Sequence, residues 1–237
     1  MTDIKAFYDA AEATWPPAST QTLGPWTIRE GRGGGKRVSA ATAHAPITPG
    51  DIPAAEAAMR ALGQPPLFMI RDGDAPLDSL LDGAGYRLID PVVICAAPVA
   101  AIATEHPPAT STFTIWEPLA IMKELWAETG IGPERLAVMG RVTGPKTAVL
   151  GRVNDRAAGA GFVAIHQGIA VIHAVSVTQA QRRQRTAVNM MREAAYWAQD
   201  HGATTFCALV TAANAPARAL YASLGMRDVG HYHYRIG

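Results

Sequence analysis

Two stretches decide how this chain folds: VSVTQAQRRQRTAV, Val175 to Val188, and NAPARALYASLG, Asn214 to Gly225. The first follows an apolar run from Ile169 to Val177 that reads as a strand, and it leads into a helix. In that helix Val188, Met191, Ala194, Ala195 and Ala198 recur with the 3.6-residue period, and Gly202 ends it after His201. A second apolar strand runs from Thr204 to Thr211, and Asn214 with Pro216 then opens another helix that stops at Gly225. A helix start offers unpaired backbone N–H groups and the positive end of the helix dipole. Arg182, Arg183 and Arg185 add charge to that start, and Ala187 is small enough to let an anion approach the backbone. A solvated basic helix start is the competing reading of the arginines.

This order resembles the acyl-CoA-binding half of the GNAT superfamily of N-acetyltransferases. There, a strand ending V-x-P-x-x leads into R/Q-x-x-G-x-G/A, and a further strand leads into N-x-x-A-x-x-L-Y-x-x-L-G-F. Val177, Arg182 and Ala187 match the first pattern; Asn214, Ala217, Leu220, Tyr221, Leu224 and Gly225 match the second. The resemblance implies that Arg182, Arg183, Gln184, Arg185, Thr186, Ala187 and Val188 hold the phosphates of acetyl-CoA. It also implies that Val175, Ser176 and Val177 pair with the pantetheine arm at a bulged splay, with Asn214 at its edge. Tyr221 then falls where the family protonates the departing sulfur; a tyrosine at the edge of the core is the alternative. The chain departs from the pattern at Gln179, where proline is usual, and at Arg185, where the first glycine is usual. Glycine tolerates positive φ there, whereas arginine must take ordinary backbone angles or carry strain.

The general base is less sharply marked. His173 shares a strand face with Val171 and Val175 by the period of two and could take the amine's proton. A strand histidine with a structural hydrogen bond is the alternative, and His166 and Glu128 are weaker candidates. Trp116, Trp126, Glu128 and Arg135 are candidate lining for the acceptor pocket. His231 to Tyr234 alternates histidine and tyrosine in a terminal strand, which reads as aromatic packing at a sheet edge; no metal is expected.

Outward from this core, 237 residues hold one large domain or two smaller ones. Ala96 to Thr112 is small, rich in proline, alanine and threonine, and without periodicity, which divides the chain at about 1–100 and 112–237. A shift of 140 places Pro76 on Pro216, Leu80 on Leu220, Gly85 on Gly225 and Arg87 on Arg227. Each half then reads as strand, proline-started helix, glycine stop and closing strand. The expectation is an α/β (α+β) fold of two GNAT-like mixed-sheet halves, the tandem type, with the C-terminal one complete. The first copy has Leu81 in the place of Tyr221 and lacks the arginine turn, so it should be chemically silent. Phe113 to Trp116, helices at Ile121 to Thr129 and Pro133 to Arg141, and strands at Lys146 to Arg152 and Gly161 to Gln167 complete the second half. In the first half, Trp26 to Gly31 and Val38 to Ala43 read as strands joined at a flexible hairpin tip, the glycine-rich Gly31 to Arg37.

Composition bounds the rest. A formal net charge of +1 gives no electrostatic case for nucleic acid or a membrane surface. Cys95 and Cys207 lie in apolar runs and read as buried free thiols. No basic region leads from Met1 to Lys5 into an apolar core, so no secretory leader is expected. A soluble cytoplasmic protein follows, with a homodimer left open. The functional expectation is an N-acetyltransferase moving an acetyl group from acetyl-CoA to a primary amine, small molecule or peptide, by direct attack. The alternative is a non-catalytic acyl-CoA-binding or regulatory module.

Overall fold

The computed structural model describes residues 3–237; the first two residues of the leader reading lie outside the described residues. The first half runs α1 (Ile4–Ala13), β1 (Ser19–Leu23), β2 (Trp26–Glu30), β3 (Thr42–Ala43), α2 (Ile52–Ala61), β4 (Leu67–Arg71), α3 (Ala75–Gly83), β5 (Arg87–Pro98) and the single turn α4 (Val99–Ile102). The second runs β6 (Thr112–Ile115), α5 (Ala120–Ala127), α6 (Pro133–Arg141), β7 (Lys146–Val153), β8 (Arg156–His166), β9 (Ile169–Val177), α7 (Thr186–Asp200), β10 (Thr205–Thr211), α8 (Ala215–Ser223) and β11 (Arg227–Ile236). The Ala96 to Thr112 segment is more regular than its composition implies, because β5 continues through it to Pro98 and α4 follows.

The halves share a sheet. Its order is β4-β11-β5-β10-β9-β8-β7-β6, beside a three-stranded sheet of β1, β2 and β3. The closing strand of each half is inserted into the other: β5 pairs antiparallel with both β10 and β11, and β11 pairs antiparallel with both β4 and β5. The repeated proline-started helices, α3 at Ala75–Gly83 and α8 at Ala215–Ser223, keep the sequence offset. The tyrosine–histidine strand is therefore paired on both sides and not at a sheet edge, and Tyr232 and Tyr234 are buried. His233 Nε2 hydrogen-bonds the Asp78 carboxylate at 2.8 Å. The two cysteines are free and buried, on adjacent strands but in the cores of opposite sheet faces.

Alternation along the strands sends one set of side chains to α7 and α8 and the other to α1, α5 and α6. On α7, Met190, Met191, Ala194, Ala195 and Ala198 are fully buried. Each methionine so buried contributes about 1.5–3 kcal/mol. Small residues on the sheet below allow that closeness; a Cβ on Gly151 would stand 2.6 Å from Met190 Sδ. Among the described residues, the only parallel pair in the large sheet is β9 with β10, and its pairing runs from Ile169–Thr205 to Ile172–Ala208 and stops. Beyond it the two strands diverge, and the divergence makes the site.

Candidate active site

The divergence has a local cause. Register between β8 and β9 slips between Ala160–Ser176 and Phe162–His173, so β9 carries an extra residue, with Ala174 at φ +52°. Trp126 of α5 pins the bulge by donating from Nε1 to the Ala174 carbonyl at 2.8 Å. The bulge also breaks the simple alternation expected along β9. His173 stays on the Val171 side, whereas Val175 turns to the α7 side with Ile172. Past the bulge, the β10-facing edge of Val175, Ser176 and Val177 has no strand partner, because β10 is already bending to β5. That edge is an open extended backbone of the kind an added strand pairs with.

At the end of the same strand stands the arginine turn. Among the described residues, no backbone N–H from Arg183 to Val188 donates to another group. The helix they begin, α7, has no side-chain cap and no acidic residue in its first turn, and Thr186 Oγ1 is buried without a partner. Arg183 and Arg185 adopt φ of +64° and +62°. Arg185 therefore takes the left-handed conformation that glycine would supply, at about 1–2 kcal/mol of strain. Alternating hands of backbone turn successive N–H groups inward into a concave anion nest. The Arg182 side chain folds back, Nε donating to the Val177 carbonyl at 3.3 Å. Gln184 bonds Gln181 at 3.0 Å and Asn154 at 3.2 Å. Ala187 and Val188 follow in the first turn of α7, half-buried. The Arg185 side chain lies on the far side of the turn, lining a second cavity of about 430 Å³ with Arg152, Asn189 and Arg192.

A larger cavity, about 450 Å³, opens from the β9–β10 wedge toward the first half. Its wedge end is lined by Val175, Val210, Asn214, Ala217 and Tyr221. Asn214 caps α8, its Oδ1 accepting from Ala217 N at 3.2 Å. Tyr221 is buried, and its hydroxyl has no hydrogen-bond partner among the described residues. Burial, with the nearby Cys95 and Cys207, pushes its pKa up to about 12, so the phenol is protonated throughout the neutral range.

The inner end is built differently. His173 donates from Nε2 to Thr14 Oγ1 at 2.9 Å, because the Thr14 hydroxyl proton is committed to the Ala10 carbonyl at 2.6 Å. Its Nδ1 accepts from Arg37 Nη1 at 3.1 Å. Burial, and then the Arg37 charge, hold its pKa well below the usual histidine range. Its one basic lone pair thus faces Arg37 and its protonated form is opposed. In this arrangement the neutral ring orients Arg37.

Of the residues expected to line the acceptor pocket, Arg135 does. Trp126 is sealed in the core, Trp116 lies on the surface under the Lys146 ammonium, and Glu128 is exposed. Neither Glu128 nor His166 lines the cavity. What the sequence reading missed comes from the first half: Trp15, Gly34, Gly35, Lys36, Arg37 and Asp90 all line it. The glycine run is not a free hairpin tip. It lies against α6 so closely that a Cβ on Gly34 would meet Val138 Cγ2 at 2.5 Å, and a 3₁₀ turn at Lys36–Val38 then aims Arg37 inward. Among the described residues, no cluster of metal-ligating side chains is present.

A bulge-opened wedge between parallel strands, a donor-rich turn beyond it and a tyrosine on the next helix form one arrangement. Residues 119–226 match the acetyltransferase (GNAT) family. The domain belongs to the GNAT acetyltransferase family. Its class is that of the acyltransferases. Across the whole chain, it is 26% identical over 246 residues to an uncharacterized N-acetyltransferase, YobR, of Bacillus subtilis (strain 168), covering 100% of this chain and 99% of that protein. In fold it is similar to a GCN5-related N-acetyltransferase from Kribbella flavida, with a TM-score of 0.70 at 17% identity, covering 100% of this chain and 96% of that one. A tandem GNAT protein from the clavulanic acid biosynthesis pathway superposes with a TM-score of 0.63 at 12% identity, covering 94% of this chain and 84% of that one. The GNAT match lies wholly in the second half, and the structural likenesses span both halves. Among the described residues, no helix is long and apolar enough to cross a membrane.

Proposed function

We propose that this chain acetylates an amine with acetyl-CoA, holding the pantetheine arm along Val175 to Val177 and the pyrophosphate at Arg182 to Val188. The carrying observation is the run of unpartnered backbone N–H groups from Arg183 to Val188, placed at the end of an unpaired strand edge. Orphan donors of this kind are stabilised by an anion, and the open edge accepts an extended chain. The residues therefore fit acyl-CoA, whose thioester supplies the acetyl group. The non-catalytic reading loses its main motive, since Arg185 already adopts the backbone that glycine would provide.

The chain's own contribution is to bind, orient and protonate. The cavity brings the acceptor to the Tyr221 end of the wedge, a proximity effect. As the new C–N bond forms and the C–S bond breaks, Tyr221 gives its hydroxyl proton to the departing sulfur. With His173 engaged by Arg37, the amine loses its proton to water, and Tyr221 regains its own from solvent. The first half is a degenerate copy without a cofactor turn, and it acts by walling the cavity. Replacing both Arg182 and Arg183 with alanine is expected to weaken acetyl-CoA binding more than tenfold at low salt, with the effect shrinking as salt rises. Unchanged affinity in calorimetry would remove the phosphate assignment.

A further inference from the structure

The inner end of the large cavity carries more positive charge than the chain itself answers. Lys36 pairs with Asp90 at 2.8 Å, and both side chains are about half exposed, so this pair neutralises itself near solvent. Arg37 lies deeper and has no carboxylate partner among the described residues. Its Nη1 donates to His173, and its Nε is buried with no partner at all. Arg135, also without a carboxylate partner among the described residues, approaches from α6, its guanidinium nitrogens 3.7 Å from where a Cβ on Gly35 would stand. The cavity is thus lined by three cationic side chains against one carboxylate, with His173 neutral. The same end of the sheet shows how the fold treats a buried arginine that serves structure. Arg29 is held by Glu12 through two hydrogen bonds of 2.8 Å, and Glu12 also reaches Arg71 at 3.6 Å. Arg37 and Arg135, which both line the acceptor space, have no such partner among the described residues.

A cavity with this charge repels an ammonium group, so a simple cationic amine is a poor occupant. An acceptor that brings its own carboxylate satisfies the guanidinium protons of Arg37 that face the cavity, in the forked geometry that carboxylates fit. The same positive surroundings favour the neutral form of the amine, which is the nucleophilic form. We propose that the acceptor is a small amino-carboxylate, of the free amino acid class, whose carboxylate binds Arg37 while its amine points toward the Tyr221 end of the cavity. His173 is a positioning residue: it fixes Arg37 through Nδ1 and is itself fixed by Thr14. This rests on the acetyltransferase reading for the amine's fate, but the carboxylate site stands on the cavity alone.

The test measures binding directly, so that it does not depend on turnover. Free amino acids and their N-acetyl derivatives, each beside its carboxamide, are titrated into wild type and into Arg37→Met, with and without CoA. At least one acid is expected to bind wild type about a hundredfold more tightly than its carboxamide, as for a charge-assisted pair. That preference should vanish in Arg37→Met and be reduced in Arg37→Lys, which keeps the charge but loses the fork. A cooperative melting transition close to that of wild type shows that both variants fold. Equal or tighter binding of the carboxamides throughout, no binding by any acid, or the same preference in Arg37→Met would overturn the proposal. The two readings fail separately. A protein that selects acids but does not bind acetyl-CoA loses the acetyltransferase reading and keeps this one. A protein that acetylates decarboxylated amines as fast as the parent acids does the reverse.

Discussion

Tyr221→Phe is expected to lower kcat by about a hundredfold or more, the typical worth of a positioned general acid, while acetyl-CoA affinity and melting temperature stay close to wild type. The hydroxyl is the only atom lost, and it has no hydrogen-bond partner among the described residues, so its removal leaves no buried group orphaned. The ring, packed with Val210, Leu224 and Met226 in the α7-side core, stays in place. Because burial raises the phenol pKa to about 12, the acid is in its protonated form at any pH where the protein is assayed. Loss of the proton donor should therefore lower the rate without shifting the pH profile between 6 and 8, a range well below that value. Full activity in the variant would mean that water protonates the sulfur. A large fall in melting temperature would mean that the hydroxyl is a structural partner, and the assignment would fail.

The largest stability effect is expected at Trp126. Its ring is fully buried among Met122, Leu125, Val138 and Met139, and its Nε1 holds the carbonyl of the bulge residue Ala174. Trp126→Ala leaves a cavity and an unpaired carbonyl, a cost of about 3–5 kcal/mol. For a chain of this size that lowers the melting temperature by about 10 °C. Trp126→Phe keeps most of the packing and removes only the donor, so it isolates the bulge. Its smaller loss of stability should come with weaker acetyl-CoA binding, because the bulge opens the wedge between β9 and β10. Wild-type melting temperature in Trp126→Ala would show that the bulge does not depend on this contact.

The second half was legible because its signals are local. Pro133 and Pro216 mark helix starts, Gly202 and Gly225 mark stops, and α6 and β9 fall at the bounds their periodicity predicts. The motif residues around Asn214 and Tyr221 also carry position, since seven residues of helix bring the tyrosine to the face that Asn214 begins. What the sequence could not show depends on long-range pairing. Nothing local in Arg87 to Pro98 says that this strand inserts between β10 and β11, so that the two halves share one sheet. His173 read as a base because its alternation with Val171 is visible, whereas the Arg37 that occupies its Nδ1 is 136 residues away. Arg37 itself was hidden inside a glycine-rich run whose flexibility in isolation says nothing about the α6 surface it lies on. A usable signal was there: glycines next to a lysine and an arginine in a chain with few charges, in a segment too short to be a linker. The arginine at position 185 was legible as a departure from glycine, but only the backbone shows that it takes the left-handed angles without giving up the turn.

The most direct measurement is a calorimetric titration of the whole chain with acetyl-CoA at low salt. Saturable binding of one acetyl-CoA per chain is expected, at the β9–α7 turn of the second half, and none at the first half. Absence of binding would contradict the assignment of the wedge and the turn, and two equivalents bound per chain would contradict the silence of the first half.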